Sequence, residues 1–439
     1  MRCMNRCGKS RNRLMTDAPV LVPRRQAAVI FVFITIVIDV LAMGIIIPVL
    51  PHLVLDFQGG NDAAAAEIYG VFGLAFAAAQ FFFSPVLGAL SDRFGRRPVL
   101  IISVFGHGLD FILMALAPSL WWLFIGRIIS GVTAASFSTA NAYIADITPP
   151  EKRAQSFGIV GSAFGLGFVI GPAIGGIAGE FDPRLPFWIA AVLCLANATY
   201  GYFVLPESLP PDRRSAINWR KTNPIGSLGF LRQHGEVIWL ALVSVIFNTA
   251  FWVIPSTSVL NTGYRFGWTE GDVGIMLAVI GICNIVVQTL LIRPAVRIFG
   301  EPMAVRIGLS ASIVGMIIYG LAPVGWLFLV GIVFQSLAGL MGPSLQALMT
   351  RRVGSSEQGQ LQGALSSAIG IAGMVGPLLF TQVYAWSITG GAWLGIPGAA
   401  FLVAGALNVL ALVVAWLATR GEKPTSAGPL PSEPLTPAQ

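Results

Sequence analysis

Apolar residues fill long stretches of this chain, and charged residues gather in the short gaps between them. A hydrocarbon core about 30 Å thick is crossed by about 20 helical residues. The pattern therefore predicts twelve membrane-spanning helices, at 28–50, 68–90, 98–117, 120–145, 157–178, 186–205, 237–260, 272–292, 303–322, 325–349, 361–385 and 393–418. The second six echo the first. Trp122-Leu123-Phe124 returns as Trp326-Leu327-Phe328, Phe94-Gly95 as Phe299-Gly300, Gln155 and Gly158 as Gln360 and Gly363, and Gly165, Gly171 and Pro172 as Gly370, Gly376 and Pro377. An offset of 204 to 205 residues preserves helix direction, so the repeat is parallel. The expected fold is an all-α membrane protein of two six-helix bundles, 28–205 and 237–418. A polar, basic linker at 206–236 joins them, with tails at 1–27 and 419–439. Parallel six-helix repeats are an architecture of secondary transporters, which rock one half against the other around a midplane site.

Composition agrees with the pattern. Of 439 residues 55% are hydrophobic and 11% charged, against about 25% charged in soluble domains. Basic residues orient the chain. Seven precede the first helix, and the connections on the same side as that terminus bring the total to 24 of 27. The opposite connections hold Arg184 and Arg265, so both termini and the central linker are expected in the cytoplasm. The net charge of +7 then reflects topology and argues against a nucleic-acid partner. The first apolar run exceeds the roughly 7–15 residues of a cleavable signal and is expected to be retained. Met15 is an alternative start, which would make residues 1–14, with Cys3 and Cys7, a gene-model extension. Cys194 and Cys283 fall inside helices, and the spacing of the cysteines suggests neither a disulfide framework nor a metal site. The Pro- and Ser-rich tail after Arg420 has a disordered composition. Without Gly-x-Ser-x-Gly, His-Glu-x-x-His or clustered metal ligands in any span, an intramembrane enzyme is not expected.

Apart from Asp272 and Arg306 in the first turns of their spans, charge inside the spans is confined to Asp39, Asp110 and Arg127. An ionisable group in hydrocarbon costs at least about 2.5–3.5 kcal/mol on insertion scales and marks an ion or substrate path. Asp110 and Arg127 lie at equal counts from the connection between their helices, roughly 12 Å deep at 1.5 Å per residue, so a pair is allowed. His107, three residues before Asp110, shares its side of the helix. In the second half Asn284, Gln288, Gln335 and Gln346 are uncharged polar residues suited to a hydrogen-bonding wall.

Between the second and third spans stands Gly88-Ala89-Leu90-Ser91-Asp92-Arg93-Phe94-Gly95-Arg96-Arg97-Pro98, which resembles the signature loop of the major facilitator superfamily. The resemblance implies a conformational switch in which Asp92 reaches the start of the eleventh helix near Gly359. Arg127-Ile-Ile-Ser-Gly131 is similar to an element of proton-coupled members. Gly165-Leu-Gly167-Phe-Val-Ile-Gly171-Pro172-Ala-Ile-Gly175-Gly176 looks like the glycine-rich segment of exporters. From Val29 to Trp416 the chain resembles the tetracycline and multidrug efflux branch, drug/proton antiporters of bacterial inner membranes. The segments that carry it include Pro48-Val49-Leu50-Pro51, Ser84-Pro85-Val86-Leu87, Ala142-Tyr143-Ile144-Ala145-Asp146, Leu345-Gln346-Ala347 and Gly359-Gln360-Leu361-Gln362-Gly363. The likeness implies proton coupling through Asp39 and Asp110, tuning by Arg127, a polar pathway residue at Gln80, and a small-molecule substrate handled as a metal chelate. Its energy source would be the proton gradient, with no cofactor. Two positions depart from the branch. Its ninth-helix aspartate is Ser312 here, and its histidine before the eighth helix is Gly267. Export of a drug-like amphiphile is thus expected, with weak or no tetracycline transport. Facilitated uptake of a nutrient is the alternative.

Overall fold

A computed structural model describes residues 22–134, 136–148, 153–214, 226, 229–354 and 357–420. The expected tail beyond Arg420, most of the N-terminal tail and part of the linker lie outside these residues. The described residues are mostly helical; ten of their helices are long and apolar enough to cross a membrane, one of them, Glu270–Leu321, covering two of the twelve expected spans, and Gly165–Phe181 is a shorter apolar helix. We number the crossings α1 (Val22–Ile46, extended by Leu50–Phe57), α2 (Asp62–Phe94), α3 (Arg96–Ala115), α4 (Leu120–Ala134 and Ser136–Ile147), α5 (Arg153–Phe181) and α6 (Leu185–Val204). The second half contains α7 (Gly235–Phe266), α8 (from Glu270), α9 (301–321), α10 (Gly325–Arg351), α11 (Gln358–Ile388) and α12 (Ala399–Ala418). Gly300, at φ 76° and ψ 163°, separates α8 from α9. Its repeat equivalent Gly95, at φ 107°, separates α2 from α3, a backbone state that glycine reaches without strain.

Boundaries follow local chemistry. The Asn61 side chain accepts from the Ala64 amide at 3.1 Å and starts α2 earlier than hydropathy alone suggests. Thr269 and Asp272 form a capping box at the start of α8. The last span begins at Ala399 rather than 393, because Gly395 sits in the left-handed region at φ 65° and Pro397 follows it.

Each half buries its own core. Phe111, Met114, Leu123 and Phe187 pack in the first, and Tyr319, Phe328 and Phe401 in the second. Along α3, Ile102, Phe105 and Leu109 point outward while Ser103, His107, Asp110 and Met114 point in. This helical stripe turns the polar positions toward the bundle and the apolar ones toward lipid.

Two seams join the halves, α2 against α11 and α5 against α8. Glycines let them close. On α5, Gly171 and Gly175 press on the α1 backbone at Leu41 and Ile45, where a Cβ would collide, and Gly176 meets Gly274 of α8. The helix is a wedge between its own half and the other. Contacts of α2 on α11 run from Gly70 on Thr381 and Gly73 on Pro377 to Phe81 on Gly370. Carried on in register, Gly88 would face Gly363, yet no atom of the described residues lies within 4 Å of the Gly88 Cβ position. At Gly165 a Cβ would meet Ile285 of α8 at an ordinary contact distance of 3.6 Å, without the collision found at Gly176. The α2–α11 seam is therefore tight from Gly70 to Phe81 and open at Gly88, toward the end that carries Arg93, Arg96 and Arg97.

Candidate functional site

Asp39, His107 and Asp110 converge inside the first half, all buried. Asp110 accepts a short hydrogen bond from the Ser130 hydroxyl. Among the described residues no ion pair joins Asp110 to Arg127, contrary to the pairing that equal depth allowed. Depth leaves the direction around the helix axis free. Ser130, three residues beyond Arg127, takes the side facing α3, and the guanidinium turns to α2, with its carbon 4.4 Å from the Phe76 ring centroid. His107 stacks on Phe111 at 4.5 Å, which fixes its ring plane. Asp39 Oδ1 is buried without a hydrogen-bond partner among the described residues. Gln80 lies half-buried on α2.

In the second half, Asn284, Gln335 and Ser336 line a cavity otherwise walled by Ile47, Phe168, Phe251, Ile254 and Tyr319. Both halves contribute to it. Asn284 donates to the Ile280 carbonyl at 2.9 Å, leaving its amide oxygen for the cavity. Ser312 does not line this cavity. It is fully buried one layer behind, donating to Gln335 Oε1 at 2.9 Å and accepting from Asn408 Nδ2 at 2.9 Å. Its role is to hold Gln335. Gln288 lies in a widened π-helical turn, Val287–Leu291, and is exposed; Gln346 is half-buried on α10. Of the four polar residues expected to form one wall, the structure brings Asn284 and Gln335 to the same cavity.

At the basic end, Arg96 forms the hub. It pairs with Asp92 at 2.6 Å and Asp146 at 3.2 Å and donates to Ser91 at 2.6 Å. Glu207 caps α3, accepting from the Arg96 and Arg97 amides at 2.9 and 3.5 Å. Arg97 donates to the Tyr202 carbonyl, while Arg93 stacks on Phe94 and Gly88 faces no neighbour among the described residues. Asp92 thus pairs with Arg96 of its own loop, and its expected approach to the start of α11 at Gly359 falls on a residue whose surroundings lie outside the described ones. The repeat equivalents of Arg96 and Asp146 are Glu301 and Arg351, which pair at 2.5 Å with the charges exchanged. At the opposite end, His52 lies 3.8 Å from Glu270 across the halves, and Thr269 donates to Glu180 at 3.0 Å. That end is sealed by polar contacts as well as glycine packing.

The Arg96–Asp146 contact yields a test. Arg96→Asp and Asp146→Arg singly should each reduce transport by about tenfold, and the double exchange, which recreates the polarity of the second half, should regain most of it. Coupling between neighbouring charges is about 0.5–3 kcal/mol. Additive losses, measured as initial rates in vesicles, would show that the two charges act separately.

Sequence reasoning missed Ser130, Phe76, Asn408 and Glu207 as site-building residues. Ser130 was findable from its spacing to Arg127, and Glu207 from its place at the end of α6. Phe76 and Asn408 carry no local signal.

The chain matches the Major Facilitator Superfamily over residues 32–268 and again over 252–438. It is 38% identical to the class C tetracycline resistance protein of Escherichia coli, over 88% of this chain and 95% of that one. Identity to the class H tetracycline resistance protein of Pasteurella multocida is 33%, covering 90% and 98%. The fold is shared with the nucleoside transporter NupG, at a TM-score of 0.72 and 14% identity over 91% of this chain and 100% of that one. With two six-helix repeats, glycine-packed seams between them and matches along its length, the chain belongs to the Major Facilitator Superfamily.

Proposed function

We propose that this chain exports an amphiphilic, drug-like small molecule in exchange for protons, from a bacterial inner membrane in which its basic end and both termini face the cytoplasm. The observation that carries the reading is Asp39. It is a buried carboxyl in the membrane interior whose Oδ1 has no partner among the described residues, so a proton on that oxygen can be exchanged without breaking a hydrogen bond to any of them. Asp110, held by the Ser130 hydroxyl, is the second coupling acid. Arg127, near them and stacked on Phe76, supplies fixed positive charge that changes in importance as the site hydrates. The substrate would lie in the cavity of Asn284 and Gln335, where aromatic and aliphatic walls suit a planar apolar body and the amides suit its polar edge.

The opening of the α2–α11 seam at Gly88 would admit substrate from the cytoplasm while the His52–Glu270 end stays shut. Rocking about the α5 glycines would reverse this. Kinship with tetracycline resistance proteins supports the export direction. The test is substrate-dependent proton movement in proteoliposomes. Addition of substrate should collapse an imposed pH gradient, and the gradient should drive substrate against its own. Substrate equilibration with no proton movement would instead identify a facilitator, including one for nutrient uptake.

A further inference from the structure

Three residues from three helices of the first half meet where their spacing in sequence gives no hint. Asp39 of α1, His107 of α3 and Cys194 of α6 each place one ligand atom within 4.8 Å of the other two, and all three are buried. Their approach is built by the surrounding helices. Asn197, one turn beyond Cys194, donates to the Thr35 carbonyl one turn before Asp39 at 3.2 Å, tying α6 to α1. Gly108, next to His107, lets α6 come close to α3, because a Cβ there would stand 3.3 Å from the Cys194 Cβ and closer still to Leu195. The Phe111 ring fixes the imidazole plane. Cys194 is a free thiol, and Asp39 Oδ1 has no partner among the described residues.

We propose that Asp39, His107 and Cys194 bind a borderline-soft divalent cation of the Zn²⁺ and Co²⁺ class. Such ions form bonds of about 2.0–2.3 Å to these donors. Tetrahedral geometry then sets ligand separations of about 3.3–3.8 Å, so closure of the cluster by at most about 1–1.5 Å suffices. Charge favours the same class. A carboxylate and a thiolate cancel a divalent ion, and a neutral imidazole completes three ligands, so no net charge is buried. The thiol proton, and that of Asp39 when its carboxyl carries one, pass to solvent as the bonds to the metal form, so protons and the cation compete for Asp39. A thiolate and an imidazole select against Mg²⁺ and Ca²⁺, which take oxygen ligands. Three protein ligands leave a fourth position for water or a small ligand.

The experiment uses the full chain purified in detergent without a histidine tag, stripped with chelator, in a background of Cys3→Ser, Cys7→Ser and Cys283→Ser. Titration with Co²⁺ should give one equivalent bound, a thiolate-to-cobalt charge-transfer band, and the intense visible bands of a tetrahedral site. Zn²⁺ should displace it, and excess Mg²⁺ should not. Adding Cys194→Ser should abolish the charge-transfer band, and His107→Ala or Asp39→Asn should each weaken binding at least about tenfold, as loss of a ligand does. Where a variant fails to fold, zinc-edge X-ray absorption on the background protein decides, with one sulfur and nitrogen or oxygen neighbours expected. Absence of stoichiometric binding, or a band that survives Cys194→Ser, overturns the site. The readout does not depend on transport, so its failure leaves the export reading standing.

Discussion

Asp39→Asn and Asp110→Asn should each insert and fold near the level of the unmodified protein, yet lose at least about tenfold of pH-gradient-driven export, equivalent to about 1.4 kcal/mol or more of coupling. The amide keeps the shape of the carboxyl but carries no exchangeable acidic proton. At Asp110 the Ser130 hydroxyl can still donate to the amide oxygen, so local structure survives. At Asp39 the unpartnered Oδ1 means that no bond to a described residue is lost there by the exchange. Both variants should retain substrate binding, and substrate counterflow without a gradient should fall less than net export. Normal gradient-driven export in both would assign the acids a structural role and remove the basis of the proton-coupled reading.

Much of this arrangement was legible in the sequence. The depth of Asp110 and Arg127, the common side of His107 and Asp110, and the two six-helix units follow from helix periodicity and the repeat offset. Direction around the axis did not follow. Equal depth permits a pair between Asp110 and Arg127, but packing decided between Ser130 and the guanidinium, and an aromatic ring on α2 took the charge. The repeat also carried more than it disclosed. The offset that aligns Gly95 with Gly300 aligns Arg96 and Asp146 with Glu301 and Arg351, so a pair of opposite polarity was present in the numbering. A search for identical residues passes over it, because the contact is preserved while both residue types are exchanged. Three-helix convergences such as Asp39, His107 and Cys194 are hidden for another reason: their neighbourhood is set by interhelical packing, which no local spacing encodes.

Ser312 gives the sharpest test of substrate identity. Among the tetracycline exporters that this chain resembles, an aspartate is expected at its position, and a carboxylate there would attract a positively charged drug–metal chelate. Here the position holds a neutral hydroxyl, locked between Gln335 and Asn408 and out of contact with the cavity. The unmodified protein should therefore confer weak tetracycline resistance or none while exporting another amphiphile. Ser312→Asp should raise tetracycline efflux by about tenfold, the effect of about 1.4 kcal/mol of added attraction. A carboxylate only accepts hydrogen bonds, so the Gln335 amide must turn to donate to it. Gln335 lines the cavity and has room to do so, whereas Asn408 Nδ2 already donates in the required direction. Some loss of folded protein is expected from a buried charge. Ser312→Asn, of similar size and without charge, separates electrostatics from shape and should gain no tetracycline efflux. Strong tetracycline resistance in the unmodified protein would sink the argument, since Asp39 and Asp110 would then suffice without a partner acid in the second half.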